Sequence, residues 1–243
     1  MLHVQNYQRS LERSRMSLTR KDRPSTFRLC DREWDLLDEV FAPVYSPSTG
    51  VGLDLLGLAG SAPVATARSF LDVGTGTGVI AIQAALAGAE RVVALDINAK
   101  AVHNADLNAR RHGVADRVRS VRSDMFDGLA PGERFDTVFW SSNYVLAPES
   151  YEYRSVHECA YVDAGYRAHR RFLSEVPERL TEHGSALLHF SSRGDLAALH
   201  RIAAECGREL HTVATVDVLE GVYGSDRVEH MLLEVVPAAP AVR

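Results

Sequence analysis

The chain is poor in cysteine: Cys30, Cys159 and Cys206 stand far apart and are odd in number. That excludes a disulfide framework and points to a reducing compartment. No apolar run approaches the roughly 20 residues of a membrane span, and the first residues carry no apolar signal core. Positive charge is not in excess either. With 27 Lys and Arg against 32 Asp and Glu, the net charge of −5 argues against a nucleic-acid partner held by phosphate contacts alone. Metal-ligand spacing is missing: His183 and His189 flank one expected strand, and His157-Glu158 is a plain dipeptide. The six arginines of residues 1–30, set against Glu12 and Asp22, read as a solvated charged helix rather than a transit peptide. The expected location is therefore cytoplasmic, with no membrane, no nucleic acid and no metal.

What the chain does have is a core. With 46% hydrophobic residues in 243, it can form one α/β domain with some additions. Its organising stretch is residues 70–80, where Phe70-Leu71-Asp72-Val73 leads into Gly74-Thr75-Gly76-Thr77-Gly78 and then Val79-Ile80. An apolar run, an acid, three glycines alternating with small residues and an Ala-rich segment read as strand, tight turn and helix. The glycines let the backbone turn sharply and approach a ligand, with a helix N-terminus just behind. A dinucleotide fingerprint would place its third glycine where Val79 stands.

Two further acids follow in order. The segment 91–96 reads as the next buried strand and ends in Asp96, placed to accept hydrogen bonds from ribose hydroxyls. Segment 118–124 is a third strand, running into Ser123-Asp124-Met125-Phe126. The order Asp-x-Gly-x-Gly-x-Gly, followed by these two acids, resembles the class I S-adenosylmethionine-dependent methyltransferases. The resemblance implies a Rossmann-like α/β fold, S-adenosyl-L-methionine as cofactor and S-adenosyl-L-homocysteine as product. The cofactor contacts it implies are Asp72, Gly74, Thr75, Gly76, Gly78, Asp96, Ile97, Asp124, Met125 and Ser141, with Asp124 on the adenine amino group and Met125 on the ring.

A second likeness is narrower. The stretch Val40-Phe41-Ala42-Pro43 with Ser46-Pro47-Ser48-Thr49 resembles a segment of the release-factor glutamine methyltransferases and their small relatives, where it borders the pocket. Tyr45, Ser48 and Thr49 are thereby substrate-pocket candidates. After the fourth strand, 135–140, those enzymes carry Asn-Pro-Pro-Tyr, whose Asn and backbone carbonyl bind a planar NH₂ group. Here the loop reads Ser141-Ser142-Asn143-Tyr144: the aromatic is kept, the prolines are gone and the Asn has moved by two positions.

Asn143 is expected to orient the acceptor and Tyr144 to wall the methyl group. His157 is a candidate base for an acceptor that carries a proton. Glu149 and Tyr151, in a loop rich in polar groups, are candidates for substrate binding.

Along the rest of the chain, residues 5–40 read as helix in pieces, the first of them ended by Pro24, and 1–50 are expected to form a helical extension or lid over a cofactor-binding domain spanning 51–243. Helices are expected over 51–58, 81–87, 99–112, 163–180 (divided or kinked at Pro177) and 196–206, strands over 185–190, 210–218 and 228–236. Strands alternating with helices and closed by a strand pair predict a parallel sheet finished by an antiparallel hairpin. With the resemblance, this is a seven-stranded class I sheet. The altered fourth motif favours a methyltransferase acting on N or O of a small molecule or peptide in specialised metabolism. The alternatives are protein glutamine methylation, a catalytically silent cofactor-binding subunit, and a nicotinamide dehydrogenase that Val79 and the terminal hairpin disfavour.

Overall fold

The computed structural model describes residues 6–60, 68–220 and 226–239. The end of the short Pro/Ala tail, from residue 240, lies outside them.

The N-terminal segment holds one helix, α1 (Tyr7–Thr19), and then a two-stranded hairpin, β1 (Thr26–Leu29) and β2 (Arg32–Asp35). The helical pieces expected to 40 are thus corrected to one helix and a hairpin. Phe27 and Trp34 alternate with charged residues and sit opposite each other in the hairpin register. That period-two pattern is a strand pattern, and it buries both aromatics on one side. Helix α2 (Ser48–Leu55) follows.

The central sheet then begins with β3 (Ser69–Val73), α3 (Val79–Leu86), β4 (Arg91–Asp96), α4 (Ala99–Arg111), β5 (Val118–Arg122) and β6 (Phe135–Ser141). Every residue of β3 is buried, as expected of a parallel strand covered on both faces. Asn98 caps α4 by accepting the Lys100 N–H at 2.9 Å, and Ala101, Ala105 and Ala109 let the helix lie close to the sheet. Two short strands, β7 (Leu146–Ala147) and β8 (Asp163–Ala164), pair beside the main sheet.

The helix expected over 163–180 is shorter: α5 spans Arg167–Glu175, a 3₁₀ turn covers Val176–Arg179, and β9 (Leu180–Ser191) starts at once. Pro177 sits in the 3₁₀ turn, so it does divide the element. Helix α6 (Leu196–Glu205), β10 (Arg208–Glu220) and β11 (Asp226–Pro237) complete the chain.

The seven strands lie in the order β10-β11-β9-β6-β3-β4-β5, all parallel except β11, which runs antiparallel to both neighbours. One face packs α5 and α6 through Phe172, Leu173, Leu199 and Ile202. The other packs α2, α3, α4 and the N-terminal hairpin through Leu53, Ile82, Ala109 and Trp34. Because the strand order reverses between β3 and β6, the carboxyl ends of the parallel strands open a crevice there, the usual place for a ligand in an open α/β sheet. Among the described residues no helix is long and apolar enough to cross a membrane.

Candidate active site

A cavity of about 580 Å³ opens at the carboxyl ends of β3, β4, β5 and β6. Its floor is the loop of Gly74, Thr75, Gly76 and Thr77 between β3 and α3. Asp72, buried at the end of β3, accepts the Thr75 hydroxyl at 2.7 Å. Burial pushes its pKa up to about 7, although that hydrogen bond and one from the Ala81 backbone oppose the shift. At the end of β4, Asp96 accepts the N–H of Gly76 at 2.8 Å and of Asn98 at 2.8 Å, so it fixes both the glycine loop and the start of α4. Burial raises its pKa too, to about 6.

Gly76 has φ +57, and a Cβ there would meet nothing within 4 Å, so the open space above the loop is real. Beside Asp96, Ile97 exposes an apolar side chain at the rim, and Met125 lines the cavity with φ +48, uncommon for a residue with a side chain. The Ser123 hydroxyl holds that turn by donating to Met125 O and accepting from Gly128 N. Asp124 is exposed and paired with Arg171 at 3.3 Å. Acceptor carboxylates flanked by apolar side chains, above a glycine floor, suit the ribose and base of an adenosyl group.

The loop after β6 closes the far end. Ser142 donates from both its backbone and its hydroxyl to His189 O. Tyr144 is held through its carbonyl, which accepts the Tyr166 hydroxyl at 2.6 Å. Asn143 donates from its NH₂ group to Cys159 O at 2.8 Å and Val162 O at 2.9 Å. Two carbonyl partners settle which end of the amide is nitrogen. Its Oδ1 is buried and has no hydrogen-bond partner among the described residues. Trp140, from the same strand end, lines the cavity and packs against His169 with ring centroids 4.6 Å apart.

The roof is N-terminal. Ser10 and Arg13 of α1 line the cavity, and Ser10, Ser14 and Ser17 are buried along one side of the helix. Ser10 donates its hydroxyl to Tyr161 O at 2.9 Å, and Ser14 Oγ lies 2.7 Å from His157 Nδ1. Burial and the Arg23 charge push the His157 pKa down to about 4.

Of the residues singled out from the sequence, Asp72, Gly74, Thr75, Gly76, Asp96, Ile97, Asp124, Met125, Ser141, Asn143, Tyr144, His157, Ser48 and Thr49 line this one cavity. Four do not. Gly78 faces α4, where its missing Cβ would meet Ala105. Tyr45 packs under the Arg20 guanidinium. Tyr151 donates to Glu158 at 2.9 Å and lines a separate shallow depression with Tyr7. Glu149 packs against Gly165, where a Cβ would lie 3.1 Å from its Cγ. Sequence reasoning missed Trp140, Cys159 and Arg13, which also line the cavity. Trp140 was legible as a residue at a strand end; nothing in the sequence pointed to Arg13, which arrives from α1. Among the described residues there is no group of three or more His, Cys, Asp and Glu able to hold a metal.

The sheet order and the crevice match solved structures. A ribosomal protein L11 methylase from Lactobacillus delbrueckii subsp. bulgaricus superposes with a TM-score of 0.52 at 19% identity, covering 79% of each chain. The chain has the class I methyltransferase fold.

Sequence similarity runs the same way. The profile of the ribosomal protein L11 methyltransferase family (PrmA) matches residues 47–141 of this methyltransferase-fold chain, the stretch from α2 through β6. It is 32% identical over 123 residues to a ribosomal protein uL3 glutamine methyltransferase of Francisella tularensis, covering 48% of this chain and 39% of that protein. It is 30% identical over 154 residues to a release factor glutamine methyltransferase of Rhodopirellula baltica, covering 59% and 51%. The chain thus spans about half or less of the length of these curated relatives. The resemblance read from the glycine loop and the strand-end acids is borne out.

Proposed function

We propose that this protein is an S-adenosyl-L-methionine-dependent methyltransferase whose acceptor is a nitrogen carrying hydrogen, of the primary-amide kind found in a protein glutamine side chain. The observation that carries the reading is Asn143, a residue of the cavity wall: its NH₂ group is tied down by two carbonyls, which leaves Oδ1 as a fixed, buried and partnerless acceptor. A buried acceptor of this sort costs about 1–3 kcal/mol until a donor reaches it, and an N–H of the acceptor molecule is such a donor. The names of the similar proteins, two of them glutamine methyltransferases, favour the same class. A specialised small-molecule acceptor, favoured by the altered fourth motif alone, has no support among them.

The donor would lie over Gly74 and Gly76 with its ribose at Asp96 and its base between Ile97 and Met125. It supplies an electrophilic methyl group on a sulfonium, so the protein needs chiefly to hold a nucleophile in line and keep the pocket dry. Asn143 would orient the acceptor nitrogen, while Tyr144 and Trp140 form the apolar wall around the transfer path. Burial raises the Tyr144 pKa to about 12, so its hydroxyl stays neutral there.

The test is methylation of glutamine-bearing proteins with isotope-labelled donor, located by mass spectrometry, for the parent and Asn143→Ala. Asn143→Ala is expected to lower turnover by about 10–100-fold, the loss of one charge-free positioning bond and its alignment. Its calorimetric affinity for S-adenosyl-L-homocysteine should stay close to that of the parent. Loss of that affinity with unchanged turnover at saturation would overturn the role of Asn143. Tight binding with no methylated product would favour the catalytically silent subunit.

A further inference from the structure

Behind the cavity a chain of buried polar side chains crosses four strands on one face of the sheet. Ser141 at the end of β6 is 3.0 Å from His189 Nδ1 on β9; His189 Nε2 is 2.9 Å from His230 Nδ1 on β11; His230 Nε2 is 3.0 Å from Glu220 Oε1 on β10. Both histidines are completely buried, and Glu220 nearly so. Period-two alternation puts them on one face: Ser141 follows Phe139 by two, and His189 follows Leu187 by two. Arg193 closes the far end, 3.0 Å from Glu220 Oε2 and 3.6 Å from Asp226, which also pairs with Arg9 at 3.5 Å. Tyr144 packs edge-on against His230 from the cavity side.

The polarity of this chain follows from Glu220. Burial opposes its ionisation, but the His230 hydrogen bond and the Arg193 charge hold its carboxyl below its ordinary value. A carboxylate only accepts, so His230 donates from Nε2. With its Nε2 hydrogen directed at Glu220, His230 presents Nδ1 as the acceptor, so His189 donates from Nε2 and accepts at Nδ1. The last donor is the hydroxyl of Ser141, a residue that lines the cavity. Burial pushes the His189 pKa down to about 3, which makes it a conduit rather than a resting place for charge.

We propose that Ser141 is the group that takes the proton from the methyl acceptor, and that His189, His230 and Glu220 form the relay that makes it basic enough to do so. This rests on the N-methyltransferase reading above. A nitrogen–carbon bond forms as the methyl carbon–sulfur bond breaks, with that bond's electron pair remaining on sulfur. The surplus proton on nitrogen passes to Ser141 Oγ as the Ser141 proton moves to His189 Nδ1. His189 passes its Nε2 proton to His230 Nδ1. One positive charge then rests on His230, held against ionised Glu220. It returns by the same path to water in the opened cavity once product leaves. Ser141 is the catalytic residue of this set; the other three are positioning residues.

The test begins with ring ¹⁵N NMR of the full chain labelled at histidine, which needs no acceptor. Neutral His189 and His230, both protonated at Nε2, are expected at pH 7, and in Ser141→Ala the His189 Nδ1 resonance moves towards that of an unbonded imine nitrogen. A proton on His189 Nδ1, or an imidazolium at either ring in the resting protein, overturns the relay. Rates with a methylated protein glutamine as readout follow: Ser141→Ala and Glu220→Gln each lower kcat by about 100-fold, the size of a general-base contribution. In Glu220→Gln the acceptor KM and the S-adenosyl-L-homocysteine affinity stay unchanged, and Ser141→Thr, which keeps the hydroxyl, restores most of the rate. Equal rates in Ser141→Ala and the parent overturn the proposal. If the parent methylates no glutamine, the function proposed above fails, and the tautomers alone judge the relay.

Discussion

Gly78 and Gly76 stand two residues apart in one loop, both in the left-handed region, yet alanine should harm stability most at the first and ligand binding most at the second. Gly78 has φ +82, and a Cβ there would lie 2.8 Å from both Cα and Cβ of Ala105 on α4. Carbon atoms in ordinary contact are about 3.5–4.0 Å apart, so α3 and α4 must separate by about 1 Å. Overpacking of this kind costs about 1–3 kcal/mol, and the left-handed backbone adds about 1–2 kcal/mol for a residue with a Cβ. The expected loss for Gly78→Ala is therefore about 2–5 kcal/mol, or about 4–20 °C in Tm for a chain of this size. Gly76→Ala carries only the backbone cost, about 1–2 kcal/mol, because its Cβ would meet nothing within 4 Å. Its methyl group instead enters the cavity above the glycine floor. Thermal melts of the ligand-free proteins, followed by calorimetry with S-adenosyl-L-homocysteine, separate the two. Gly78→Ala should melt well below Gly76→Ala, and Gly76→Ala should lose more affinity than stability. Equal melting temperatures would refute the argument that Gly78 serves helix packing and Gly76 serves the ligand.

Asp72 makes stability fall with pH. Its folded pKa of about 7 exceeds the ordinary 3.8, so the folded state retains a proton that the unfolded state has lost. Stability from this group is greatest below the unfolded value, declines as pH rises towards 7, and levels off above; the total is at most about 4 kcal/mol. Asp72→Asn should accordingly gain stability relative to the parent at pH 8 and match it near pH 4 in chemical denaturation. A difference independent of pH would count against a protonated Asp72. Asn108, completely buried on α4, accepts the Asp35 N–H at 2.7 Å and donates to Thr77 O at 2.8 Å and Asp35 O at 3.0 Å. Asn108→Ala strands those groups, at a cost of about 2–4 kcal/mol. Hydrogen exchange should then quicken in β1, β2 and the glycine loop together; unchanged protection would mean the hairpin is held by other contacts.

Much of the fold was written locally. Period-two burial, Ala-rich helices, the Asn98 cap and the glycine loop are set by residues within a few positions of one another, and short-range sterics act on those alone. The three acids were legible for the same reason: each sits within two residues of the end of its own strand. The hairpin at 26–35 was read as helix because its signal is only four residues per strand, with two residues at positive φ, Cys30 and Asp31, making the turn. The start of β9 was misplaced because Pro177 and a 3₁₀ turn pack helix and strand end to end.

By itself, then, the sequence determined the alternation of strands and helices from β3 onward, the glycine floor and the acids at the strand ends. Only the tertiary structure decided what meets across the chain. It brought α1 from the N-terminus over the cavity, with Ser14 beside His157. It turned Asn143 so that both amide hydrogens are spent on carbonyls and one oxygen is not. It lined up Ser141, His189, His230 and Glu220 across four strands. Such contacts depend on which strands become neighbours. That is settled by burial of the whole sheet between two helical layers, a property no local spacing records.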